Sequence, residues 1–145
     1  MSGALSVEIR KLDSLTADER VQWNAWSAAD PDLASPYFCV EFAQIAGGVS
    51  PGAALAVFRR DGQTVGYFPH QRRGGAIQPI AAPMNDYHGV IGPKGAVPTL
   101  AEVARLLGGT RFSVNGWVGP ASGGIRGESF RTAIPEDGGY QAWYA

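Results

Sequence analysis

Pro83-Met84-Asn85-Asp86-Tyr87-His88-Gly89 sets a carboxylate, a phenol and an imidazole side by side between two apolar runs. These side-chain types serve acid–base chemistry, because an imidazole titrates near neutral pH and exchanges protons at either nitrogen. Asp86 and His88 are two apart. In an extended segment both would point to one side and meet one ligand. The same letters also describe a polar turn. Asn and Asp bond their own backbone, a tyrosine ring can be buried with its hydroxyl on a partner, and His88 before Gly89 can fill a cap. From the residues alone the turn has the stronger claim.

Three other places hold reactive groups. His70 follows Pro69 at the end of an expected strand, where a hydrogen-bonding surface residue is the default. Cys39 is the single cysteine, so no internal disulfide forms. It reads as a small buried or half-buried thiol, since catalysis would need a histidine and an orienting group beside it. No His/Cys cluster has zinc spacing, so no metal is expected. Asp13, Asp18 and Glu19 lie at a helix start and are cap chemistry.

The elements that must position these groups follow from patterning. Leu5–Ile9 alternates as a strand. Thr16 and Glu19 form a capping box opening a helix from Ala17 to about Ala28, with Val21, Ala25 and Ala28 on one face, Trp23 and Trp26 on a neighbouring one, and Asp30-Pro31 as its end. Ser35-Pro36 starts a second helix with Phe38, Phe42 and Ile45 as its stripe, stopped by Gly47-Gly48. Ala53–Arg59 and Gln63–Pro69 flank the hairpin pair Asp61-Gly62. Arg73-Gly74-Gly75 turns into a strand over Ala76–Ile80, and Val90-Ile91 adds a little more. Thr99 and Glu102 make another capping box, for a helix buried through Leu100, Val103, Ala104 and Leu107 and closed by Gly108-Gly109. Arg111–Val118 and Ser129–Ile134 read as strands, with Trp117 as core or interface, and Tyr140–Ala145 as the first turn of a further helix. The fold class is α+β with a mostly antiparallel centre, in one domain over 1–145.

Composition excludes several functions. The 145 residues are 45% hydrophobic and 17% charged with a net charge of −1, which describes a globular chain with a core. No basic stripe follows a phosphate backbone, so nucleic acid is not expected as a partner. Arg59-Arg60 and Arg72-Arg73 read as solvated hairpin ends. The N-terminus lacks the apolar run of a signal peptide, and no window reaches the ~20 apolar residues of a membrane span. The expectation is a soluble, cytoplasmic protein.

The order strand, two helices, meander, helix, strands is the opening order of the GNAT superfamily of N-acetyltransferases. "SPYFCVEFAQIAG" (35–47), "VGYFPHQRR" (65–73) and "APMNDYHGVI" (82–91) together resemble the N-terminal half of the CelD-type acetyltransferases associated with bacterial cellulose biosynthesis. The resemblance covers about residues 20–92. It implies a GNAT-like mixed, mostly antiparallel sheet flanked by helices, incomplete at its C-terminus, in a tandem of two halves. It implies acyl transfer to a sugar- or polysaccharide-related acceptor, with acetyl-CoA or acyl-CoA bound mainly by a C-terminal half not in this chain. Partners would be that half, or a second copy, and a sugar-related small molecule. The resemblance brings the site reading of Asp86, Tyr87 and His88 level with the turn, and adds His70 as a substrate-side candidate.

GNAT enzymes hold the CoA pyrophosphate on backbone amides at a helix N-terminus, and Gln71-Arg72-Arg73-Gly74-Gly75-Ala76 matches the letters of that loop. Gln71, Gly74 and Ala76 are therefore the cofactor-binding candidates. The helix that must follow would contain Pro79 and Pro83, and a proline inside a helix costs ~3 kcal/mol. A Gly-Gly hairpin turn accounts for the same letters. An autonomous acetyltransferase needs the helix; a dimerising or partner-binding module using Trp23, Trp26, Tyr140 and Trp143 needs neither.

Overall fold

The computed structural model describes residues 3–121. The strand expected at 129–134 and the tail at 140–145 lie outside them.

Strands β1 (Leu5–Arg10), β2 (Ala53–Arg60), β3 (Gln63–Arg73) and β4 (Ala76–Pro79) pair antiparallel in chain order, and β6 (Arg111–Phe112) adds to β4 in parallel. Asp61 and Gly62 turn β2 into β3 with φ of 50° and 78°, and Gly74 and Gly75 turn β3 into β4 with 52° and 79°. Both are the left-handed pairs that match strand twist in a two-residue hairpin.

Side chains alternate along β2, so one strand serves two cores. Leu55, Val57 and Tyr67 face helices α1 (Ala17–Ala29) and α2 (Val40–Val49); Ala56, Phe58 and Phe68 face helix α3 (Leu100–Leu107). The fold is α+β, with a mostly antiparallel five-stranded sheet carrying two helices on one side and one on the other.

Both capping boxes form, and Gly108 closes α3 in the left-handed conformation. In α1 the buried residue is Trp23, stacked on Tyr67 at 5.3 Å with its Nε1–H donated to Phe38 O at 2.8 Å. Val21, Ala25 and Ala28 face outward. The large indole outweighs three small or medium side chains in deciding which face turns inward. The second helix is split: Pro36–Phe38 is one 3₁₀ turn, Cys39 is extended, and α2 starts afresh at Val40. Its buried stripe is Val40, Ala43 and Ala46, with Ile45 exposed, and it runs through Gly47-Gly48 to Val49. Breaking the helix at Cys39 resets the phase that places Phe38 and Phe42 on one stripe. Cys39 is exposed, correcting the buried or half-buried expectation.

The remaining strands are shorter than expected. Arg111–Val118 is two pieces, β6 and β7 (Trp117–Val118), and β7 pairs in parallel with β5 (His88–Gly89) instead of joining the main sheet. Ile91 contributes one antiparallel bridge to Tyr67. Arg72 is half-buried and donates to Leu107 O at the end of α3, so it is not a solvated hairpin end. Its cation sits where the carbonyls of that helix terminus collect partial negative charge.

Candidate functional site

The pairing registers place the site. Along β3, His70 faces Pro79, and Tyr67, three residues earlier, faces Ile91, twelve residues later on the partner side. Twelve against three leaves nine residues with no place in the ladder. β4 and the β5–Ile91 segment are thus one strand line with a long excursion, and that excursion carries the Pro83–Gly89 stretch. A parallel line beside it breaks at the same level. Ile77 faces Phe112 and His88 faces Trp117, eleven residues on one side against five on the other.

The break leaves Phe68 and Pro69 without a neighbour on that edge of β3 among the described residues. Pro69 suits the position, since proline has no N–H to leave unpaired. A narrow crevice opens there between Phe68-Pro69 and His88-Gly89, with Tyr37, Ile80 and Tyr87 among its walls and room of about 10 Å³, close to one water. Phe68 belongs to the α3-side core and Ile80 and Ile91 to the α1/α2-side core, so residues of both cores line the crevice.

Within the excursion, Asn85 is buried; its Nδ2 donates to Ile80 O at 3.2 Å and its Oδ1 accepts from Tyr87 N at 3.1 Å. Turn chemistry is therefore present at Asn85. Asp86 is exposed while His88 is 4% exposed, so the two do not point the same way. The expectation assumed extended backbone, and the Asn85 turn removes it. Tyr87 is half-buried against Tyr37 and the α1/α2-side core.

His88 Nδ1 accepts the backbone N–H of Asn115 at 3.3 Å from the break in the neighbouring line. A ring nitrogen that accepts carries no proton, so the neutral ring bears its hydrogen on Nε2. That Nε2 is buried and without a partner among the described residues. Burial pushes the imidazole down to about 4, with the Asn85 backbone carbonyl, near enough to the ring to favour its protonated form, acting the other way. Gly116, at φ 56°, makes the contact possible: a Cβ there would lie 2.3 Å from Asp86 O.

His70 is fully buried, correcting the expectation of a surface residue. Strand β3 continues four residues beyond Pro69, so position 70 lies inside the sheet, not at its end. Its Nδ1 donates to Phe68 O at 3.2 Å, its ring stacks on Phe68 at 5.8 Å, and its Nε2 has no partner among the described residues. Burial, opposed by the Phe68 carbonyl and aided by the Arg72 charge, pushes it down to about 4. Trp117 also packs on Phe68 at 5.8 Å, with Nε1 unpartnered among the described residues. Phe68 is thus the common neighbour of two orphaned ring nitrogens, and it walls the crevice that holds a third.

The cofactor candidates lie in the β3–β4 hairpin. Gln71 is buried, donates from Nε2 to Gln78 Oε1 at 3.3 Å and accepts at Oε1 from Ala81 N at 3.2 Å. Gly74 and Gly75 are the turn, and Ala76 begins β4. The pyrophosphate geometry needs a helix after the glycines, and a strand follows instead.

Beyond the C-terminal ends of the parallel β5–β7 pair lies a larger pocket, about 310 Å³. Leu33, Val90, Val97 and Val118 give it an apolar lining, and Gly92 and Gly119 also border it. At its rim Lys94 Nζ lies 3.5 Å from Asp30 and 3.3 Å from Asp32. Sequence reasoning missed this pocket, because Lys94 is sixty-two residues from Asp32 and neither sits in a motif. Among the described residues, no group of three or more His, Cys, Asp or Glu could hold a metal, and no helix is long and apolar enough to cross a membrane.

Comparison of the chain with protein families, with curated proteins and with solved structures found no match.

Proposed function

We propose that the chain is the N-terminal, GNAT-like half of a CelD-type acyltransferase and supplies the acceptor groove. Acyl-CoA would be held mainly by the C-terminal half. One observation carries this reading: beyond the ends of the separate β5–β7 pair lies a pocket of about 310 Å³. That size suits a sugar-sized ligand. The apolar lining fits the carbon face of a sugar ring, and Asp30 and Asp32 at the rim offer acceptors for hydroxyl or ammonium groups. The acceptor class is an amine or hydroxyl on a sugar nucleotide, a lipid-linked sugar or an exopolysaccharide unit. The Gly74-Gly75 hairpin argues against an autonomous enzyme.

Calorimetry tests the reading. Glucosamine, N-acetylglucosamine, a uridine-diphosphate sugar and acetyl-CoA are titrated into the 145-residue chain. Saturable heat from a sugar and none from acetyl-CoA supports it. The reverse would make the chain an autonomous CoA binder, and silence from all four would remove the acceptor groove.

The second reading is a partner-binding module. Its observation is the exposure of Val21 on α1 and of Ile45 and Val49 on α2, at 70%, 73% and 80%. A monomer by sedimentation at high concentration, together with sugar binding, would exclude self-association as its role.

A further inference from the structure

We infer that the crevice at the strand break beside Phe68-Pro69 is a binding site for an uncharged carbonyl group, whose oxygen accepts the Nε2–H of His88. This deepens the acyltransferase reading and rests on it for biological meaning, but its chemistry stands on the crevice itself.

Four observations converge. Among the described residues, the strand break leaves Phe68 and Pro69 without a neighbour on that edge of β3, so the opening follows from the register. The Asn115 N–H occupies His88 Nδ1, which fixes the tautomer and leaves Nε2 as a donor. Of the residues lining the crevice, His88 alone has a buried side-chain nitrogen or oxygen without a partner among the described residues. A buried donor left unpaired costs about 1–3 kcal/mol, so an acceptor belongs there. Lastly, the innermost room, about 10 Å³, admits one oxygen-sized group.

The walls choose among acceptors. Among the described residues, no Lys or Arg lines the crevice. A phosphate or carboxylate would lose its hydration and gain a single neutral donor, which does not offset the loss. A hydroxyl oxygen brings a proton of its own that must also find an acceptor. A carbonyl oxygen needs only a donor, and the aromatic rings of Tyr37 and Tyr87 flank the planar group behind it. His88 therefore polarises or positions an acyl or acetamido carbonyl. It does not act as a general base, because its basic nitrogen already accepts the Asn115 amide proton.

The test uses the whole chain and nuclear magnetic resonance of the imidazole nitrogens, with N-methylacetamide as the neutral carbonyl and acetate as its charged counterpart. The expected result has three parts: an Nε2–H tautomer for His88, an Hε2 signal that moves saturably with N-methylacetamide, and no comparable movement with acetate. His88→Phe should lose the response, and His88→Gln, which keeps an N–H donor, should retain part of it. An Nδ1–H tautomer, no shift, or equal shifts with both probes would overturn the inference, and the first two need no variant to fold. Sugar binding together with an Hε2 signal that N-methylacetamide does not move would sink the crevice site and leave the acceptor groove standing. A response to N-methylacetamide with no sugar binding would do the opposite.

Discussion

Asn115 donates its backbone N–H to His88 Nδ1 at 3.3 Å, joining two strand lines at the level where each is interrupted. Neither residue belongs to a motif that pairs them; register and a turn bring them together. The contact links the fold to the chemistry, because it decides which nitrogen of His88 accepts and which carries the hydrogen.

The two buried histidines make the protein acid-labile. Both His70 and His88 are pushed from about 6.5 down to about 4, mainly by burial. A depressed folded-state value means the unfolded chain binds more protons between those limits, so the contribution is complete above pH 6.5 and is lost as pH falls toward 4. Each proton adds a slope of up to about 1.4 kcal/mol per pH unit. Glu19, held at about 2 by the Arg10 guanidinium against the opposing pull of burial, acts in the same direction in a lower window, from about 4.5 down. Urea unfolding at a series of pH values should show stability falling from pH 6.5, and His70→Phe should flatten the upper part. A pH-independent midpoint between 4 and 6.5 would contradict the burial of both rings.

Gln71 holds the excursion rather than a cofactor. Its Oε1 takes the N–H of Ala81, which sits at φ 63°, and its Nε2 holds Gln78. Gln71→Ala leaves that buried hydrogen bonding unmet and should cost about 1–3 kcal/mol. Amide hydrogen exchange should rise over 80–87 more than elsewhere. An unchanged exchange pattern would show that the excursion holds without it.

Two glycines should respond with opposite sign. A Cβ on Gly89 would lie 2.4 Å from Val118 O, so Gly89→Ala forces β5 and β7 apart and should lower stability by about 2–3 kcal/mol. Gly48 lies inside α2 with nothing near a Cβ, so Gly48→Ala should raise stability by about 0.5–1 kcal/mol through helix propensity. Paired thermal melts decide both.

Lys94 spans Asp30 and Asp32 at the pocket mouth while its side chain remains 73% exposed. Water and salt screen such a pair, so Lys94→Met should leave the melting temperature unchanged. It also frees two carboxylates at the rim. If the pocket holds the acceptor, affinity for an amino sugar should rise and its salt dependence should steepen. An unaltered affinity would place the acceptor elsewhere.

What could be read from the sequence was local. Both capping boxes and both two-residue hairpin turns are satisfied by bonds between residues two to four apart, so a short window contains all the atoms that decide them. The α+β order was legible for the same reason, and the prolines after Gly74-Gly75 were enough to favour a turn over a helix. The phase of α1 and α2 was not. Trp23 turns inward because Tyr67 and the Phe38 carbonyl, fifteen to forty-four residues away, receive it. His70 looked like a strand end until β4 was laid beside it. The crevice and the pocket depend on where β3 exchanges one partner for another, which is set by long-range pairing and close packing at Gly66, Gly89 and Gly116. A periodicity reports which residues can be buried; only the assembled sheet decides which of them are, and which nitrogen is left without a partner.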